Sequence, residues 1–105
     1  MFQDPHAAFL KTLEVFLNEP TKKFSGLDIC NKTGLKSGTV YPLLIGMEEK
    51  GWLVSEWEDI DPEVEKRPKR HFYSLSEKGN RRGREMIKER DESSFSDSDL
   101  VPVLS

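Results

Sequence analysis

At 105 residues, a third of them charged, the chain has room for one compact core built from spaced apolar stripes. No run approaches the roughly twenty apolar residues of a membrane span, Met1–Leu10 lacks the basic start and apolar run of a secretory signal, and the single Cys30 cannot form an internal disulfide, so the expectation is a protein of the reducing cytoplasm. The net charge of −3 argues against a polyanionic partner until its distribution is read: residues 1–90 hold 16 Lys and Arg against 15 Asp and Glu, and residues 91–105 hold four acids and no base.

Phe9, Leu10, Leu13, Phe16 and Leu17 recur at helical spacing and predict a first amphipathic helix that ends near Asn18, ahead of Pro20. Ser25 with Asp28 three residues on resembles a capping box, and Phe24 and Ile29 sit at the two positions of a hydrophobic staple. The second helix therefore starts at Ser25 or Gly26. It must be short, because Thr33, Gly34 and Leu35 follow at once and Gly34 suits the left-handed residue that ends a helix. Ser37 is the expected cap of a third helix, with Val40, Leu43, Leu44 and Met47 as its inward stripe and Gly51 at its end. Pro42 falls inside this helix and removes one backbone bond. Two short helices joined by a tight Gly-containing turn make a helix-turn-helix.

Beyond Gly51 the pattern changes to strand-forming residues, Trp52–Trp57, and a second such run spans His71–Leu75. Between them, Asp59–Lys69 carries Pro62, Pro68 and dense charge without periodicity, as expected of a long exposed hairpin loop. Ser76 is the expected cap of a last helix running to about Arg90. Residues 1–90 are thus expected to form one domain, closed by a dimerisation helix over about 76–90, and residues 91–105 an acidic, mostly mobile tail. The fold class is mainly α with a small β-hairpin. Its order of helix, helix, helix, strand, loop, strand, helix is the winged helix-turn-helix plan, in which the third helix enters the major groove and the strand loop is the wing.

Particular residues carry the reading further. Gly38-Thr39-Val40-Tyr41-Pro42-Leu43-Leu44, Met47-Glu48, Lys50-Gly51-Trp52-Leu53 and Arg67-Pro68-Lys69-Arg70-His71-Phe72-Tyr73-Ser74-Leu75-Ser76-Glu77-Lys78-Gly79 strongly resemble the PadR-like transcriptional regulators over most of residues 7–88. With one helix and a short tail after the wing, the chain is similar to the compact subgroup. The resemblance implies a DNA-binding transcriptional regulator; the expectation is a sequence-specific repressor acting as a homodimer on double-stranded DNA, with an inverted-repeat site because two recognition helices related by two-fold symmetry face the duplex. It also implies a DNA-reading role for Gly38, Thr39 and Tyr41. Some compact members bind flat aromatic drugs between Trp side chains at their dimer interface; the last helix here has no Trp, and an effector is left unidentified.

Around those three residues, Lys32, Thr33, Lys36 and Ser37 lie in the turn and at the helix start, the part of the motif that approaches bases and phosphates. The bland alternative makes Ser37 a cap and Tyr41 a packing residue. Lys66, Arg67, Lys69 and Arg70 crowd the far end of the wing and suit phosphates, although six acids within Glu56–Glu65 offer them partners across the hairpin. The last helix is basic, with Gly79, Gly83, Met86 and Ile87 on a sparse apolar face. The resemblance pairs that face with Phe9, Leu13 and Phe16 on helix one of a second chain, and the alternative packs it on its own core. His6, Cys30 and His71 are scattered without ligand spacing, so no metal, cofactor or nucleophile pair is expected, and the chain does not read as an enzyme. A rival reading from another class is a winged-helix protein-interaction module that does not bind DNA, motivated by the acidic balance.

Overall fold

A computed structural model describes the backbone of residues 5–104 and the side chains of residues 6–91. Helix α1, Pro5–Asn18, sends Ala8, Leu13 and Phe16 into full burial, and the buried Thr12 hydroxyl is satisfied by donating to the Ala8 carbonyl at 3.0 Å. The capping box opens helix α2, Gly26–Thr33, as expected: Ser25 Oγ accepts from the Asp28 N–H at 3.2 Å and the Asp28 carboxylate accepts from the Ser25 N–H at 3.0 Å. Gly34, with φ 78°, ends α2 in the left-handed region that a side chain disfavours.

Helix α3, Ser37–Glu49, buries Val40, Leu44 and Met47 against Ile29 of α2 and the α1 face. Its cap differs from expectation. Lys36 is the extended residue before the helix and makes no side-chain cap bond, while Ser37 is already helical. The Lys36 carbonyl takes both the Thr39 and Val40 N–H groups, at 2.9 and 3.0 Å, so the first turn closes on backbone alone. Pro42 lies within α3 and leaves the Gly38 carbonyl without its usual donor four residues on.

Strands β2, Leu53–Trp57, and β3, His71–Leu75, pair antiparallel from Leu53↔Leu75 to Trp57↔His71. A third strand, β1 at Phe24–Ser25, adds to β3 with Phe24 opposite Tyr73, so the expected hairpin is a three-stranded sheet of order β1-β3-β2. Phe24 meets Phe16 edge-on, ring centroids 5.4 Å apart, and joins the sheet to α1. The expected irregular wing loop contains a one-turn helix α4, Pro62–Glu65, capped by the Asp61 carboxylate on the Glu63 N–H at 3.0 Å.

Helix α5, Glu77–Leu104, begins where Ser76 Oγ accepts from the Gly79 N–H at 3.0 Å, which matches the expected cap. It runs past Arg90 to Leu104. The expectation of a mobile acidic tail falls largely on side chains after Asp91, which lie outside the described residues.

Candidate nucleic-acid interface

The exposed ridge of α3 follows from its buried one. With Val40, Leu44 and Met47 turned inward, helical spacing places Ser37, Gly38, Tyr41, Pro42 and Ile45 outward, and all five are exposed. Ile45, half exposed at 50 %, is a member that the sequence pattern did not single out; its signal was its position four residues after Tyr41. Lys36 is also exposed at the start of this ridge, and Thr39 is half-buried beside it.

Two residues of the preceding turn are otherwise engaged. The Thr33 hydroxyl donates to the Ile29 carbonyl at 2.7 Å and accepts from the Leu35 N–H at 3.1 Å, so it holds the turn together. Lys32 lays its ammonium 5.8 Å from the Phe24 ring centre, a cation–π distance, with the residue exposed at the end of α2.

The wing bases do not act as one cluster. Arg67 grips Glu58 with both guanidinium nitrogens, at 2.6 and 2.9 Å, which holds the Glu58 carboxyl down at about 2 and raises Arg67. Glu58 also accepts from the Arg70 N–H at 3.2 Å and its own N–H donates to the Arg70 carbonyl at 2.7 Å. Arg67 is thereby a clasp across the wing rather than an outward charge, and the sequence offers six acids as partners without selecting this pair. Lys66, at φ 60°, ends α4 in the left-handed region. Lys69 and Arg70 are exposed and form no salt bridge among the described residues. They line a cleft of about 490 Å³ between the wing base and the start of α2, together with Tyr41, Trp57 and His71. At the floor of that cleft, burial pushes the Tyr73 hydroxyl up from its ordinary range.

The expected dimer face is partly consumed within the chain. Leu13 and Phe16 are fully buried in the core of their own protomer. A methyl group on Gly79 would overlap the Trp52 carbonyl, and one on Gly83 would lie 2.9 Å from Leu13 Cδ1. Both glycines are therefore close-packing sites against the same chain, and Arg90 reinforces them by reaching Glu14 of α1 at 2.5 Å. Phe9, Met86 and Ile87 are half-buried at the edge of the core, with Phe9 tilted against Trp52 at 5.8 Å. No group of His, Cys, Asp and Glu among the described residues has the arrangement of a metal site, and no helix there is long and apolar enough to cross a membrane.

Comparison with known proteins gives a consistent result. Residues 26–85 match the profile of the transcriptional regulator PadR-like family. A PadR-like transcription factor from Bacteroides fragilis superposes with a TM-score of 0.75 at 20 % identity, covering 91 % of each chain. A PadR-family regulator from Eggerthella lenta gives 0.72 at 19 %, over 92 % of this chain and 84 % of that one. One from Bacillus cereus gives 0.69 at 19 %, over 91 % and 92 %. No protein with curated annotation matches the sequence.

Proposed function

Because the chain belongs to the PadR-like family of transcriptional regulators, we propose that it represses transcription as a two-fold dimer, with α3 of each copy in the major groove and each wing on the backbone. The family's members are DNA-binding regulators and not enzymes. One observation supports the proposed contacts most: Tyr41, on the ridge that also exposes Lys36, Ser37 and Gly38, lines one cleft with the two outward cations of the wing, Lys69 and Arg70. An α3 start offers N–H groups to a phosphate, Gly38 adds no bulk, and Tyr41 donates a hydroxyl. Ile45 gives the ridge an apolar end of the kind that contacts thymine methyls.

The proposed dimer uses part of the expected face. Leu13, Phe16, Gly79 and Gly83 are covered by their own chain, which leaves Phe9, Leu17, Met86 and Ile87 for a second copy. An open groove between α1 and α5, floored by Leu17 and Ile87, runs alongside them. A partner's α1 and α5 would cover these four residues by symmetry.

The rival, a winged helix that binds a protein and no DNA, is favoured by the net charge of −3 and by the neutralised Arg67. Electrophoretic shift with random-sequence duplex at low salt separates the two. The DNA reading expects retarded complexes that dissolve as salt rises, and absence of any shift overturns it. Selection from a random duplex pool then returns the site, expected as an inverted repeat.

A further inference from the structure

Large aromatic side chains on a small protein's surface are uncommon enough to ask what they meet. Trp57 is 62 % exposed at the end of β2, yet its ring is not loose. It stacks on His71, its cross-strand neighbour, with centroids 4.4 Å apart and planes within 11°. His71 in turn tilts against Tyr73, 4.8 Å away, whose ring is anchored in the core. Three rings in file thus carry rigidity outward from the core to an exposed indole face.

That face lines the cleft between the wing base and the α2–α3 corner. The Tyr41 ring lines the same cleft and sits so close over Gly26 that a methyl group there would overlap it. Lys69 and Arg70 stand at the same cleft. Its single carboxylate, Asp28, is committed to the capping box. An indole face, a phenol and two cations around one opening match a sugar–phosphate strand, which offers an apolar ribose face between anionic groups.

We propose that this cleft seats one strand of the bound duplex, with Trp57 against a deoxyribose and Lys69, Arg70 and the Tyr41 hydroxyl on the flanking phosphates. The assignment rests on the DNA reading above and adds Trp57 and His71 to it. His71 acts as a positioning residue, stacking on one face of the indole and holding the other toward the strand. Because the contact is to the backbone, it contributes affinity and register without choosing bases.

The test uses the full chain carrying Trp52→Phe, so that Trp57 is its one indole reporter, titrated with random-sequence duplex at low salt. Duplex saturation is expected to quench Trp57 emission and shield it from acrylamide. Trp57→Ala in the otherwise native chain is expected to weaken binding by about tenfold through lost apolar burial, equally across duplex sequences, with the helical circular dichroism retained. His71→Ala is expected to weaken binding by less and, in the Trp52→Phe chain, to raise acrylamide access to Trp57 in the free protein. Two results overturn the assignment while leaving the DNA reading intact: a saturated complex in which Trp57 stays as accessible as before, or a folded Trp57→Ala chain with native affinity. A native chain that binds no duplex overturns both. Should Trp57→Ala unfold, Trp57→Phe, which keeps a stacking ring, is expected to stay within a few-fold of native affinity, and Trp57→Gln to lose it.

Discussion

Glu58 is the residue on which the wing turns. Its carboxylate accepts from both Arg67 nitrogens and from the Arg70 N–H, so one side chain ties the start of the wing to its return limb. Those bonds favour the charged form and depress its titration from 4.5 to about 2. A depressed carboxyl contributes stability that is fully present above about pH 4.5 and is lost as pH falls toward 2. Glu58→Gln is therefore expected to lower the urea midpoint at neutral pH, with the gap to the native chain closing between those two values. Urea titrations of both proteins across that range check it, and a gap constant down to pH 2 removes Glu58 from this role. The same clasp alters what the wing bases do. Lys69→Ala and Arg70→Ala should each reduce the slope of log affinity against log salt by about 0.9, measured by fluorescence anisotropy. Arg67→Ala, already paired, is expected to leave that slope unchanged unless the wing itself collapses.

Among the elements, the seam between α5 and the turn that leads into β2 depends on Gly79. Its helical position ordinarily favours Ala over Gly by about 1 kcal/mol. Here a methyl group meets the Trp52 backbone carbonyl, which is itself held by the Ser76 N–H at 3.0 Å and cannot swing away. Gly79→Ala is expected to destabilise by roughly 2 kcal/mol, overpacking outweighing propensity. Gly83 offers the contrast, since the atom it would meet is the end of the Leu13 side chain, which can rotate. A chemical-denaturation pair in which Gly79→Ala is as stable as native would show that the seam is looser than its geometry.

For the whole molecule, the prediction is a dimer through α1 and α5 that brings two α3 helices to one duplex. One recognition helix reads too few bases to select a site in a genome, and a two-fold pair reads twice as many at half-sites about one helical turn apart, roughly 34 Å or its multiple. Sedimentation at micromolar concentration is expected to give a dimer for the native chain and a folded monomer for Leu17→Asp with Ile87→Asp. Site-specific binding should fall with the dimer, while weak non-specific binding persists. A native monomer that binds its selected site as a single unit removes the symmetric assembly.

Much of this architecture was legible locally. Helices α1 to α3 declare themselves by apolar spacing, α2 by its Ser25–Asp28 box and Gly34, the hairpin by its two aromatic runs, and the family by the Thr39–Leu44 segment with its flanks. The start of α3 departs from the expected Ser37 cap because a backbone-closed turn leaves no side-chain signature. Strand β1 is two residues long and exists only through its pairing with β3, nearly fifty residues on, and α4 is a single turn that its Asp61 cap and the clasped wing support. Composition set the six acids of Glu56–Glu65 near four wing bases, but only the folded hairpin chose Glu58 for Arg67. Sequence periodicity likewise defined an apolar face on α5 without saying which chain would cover it. What the sequence determined by itself were the properties set within a few turns of chain: helix type, caps, turns and family motif. The tertiary structure decided which charges cancel, which glycines are filled and which aromatic faces stay open, because each depends on a partner distant along the chain and near only in the fold.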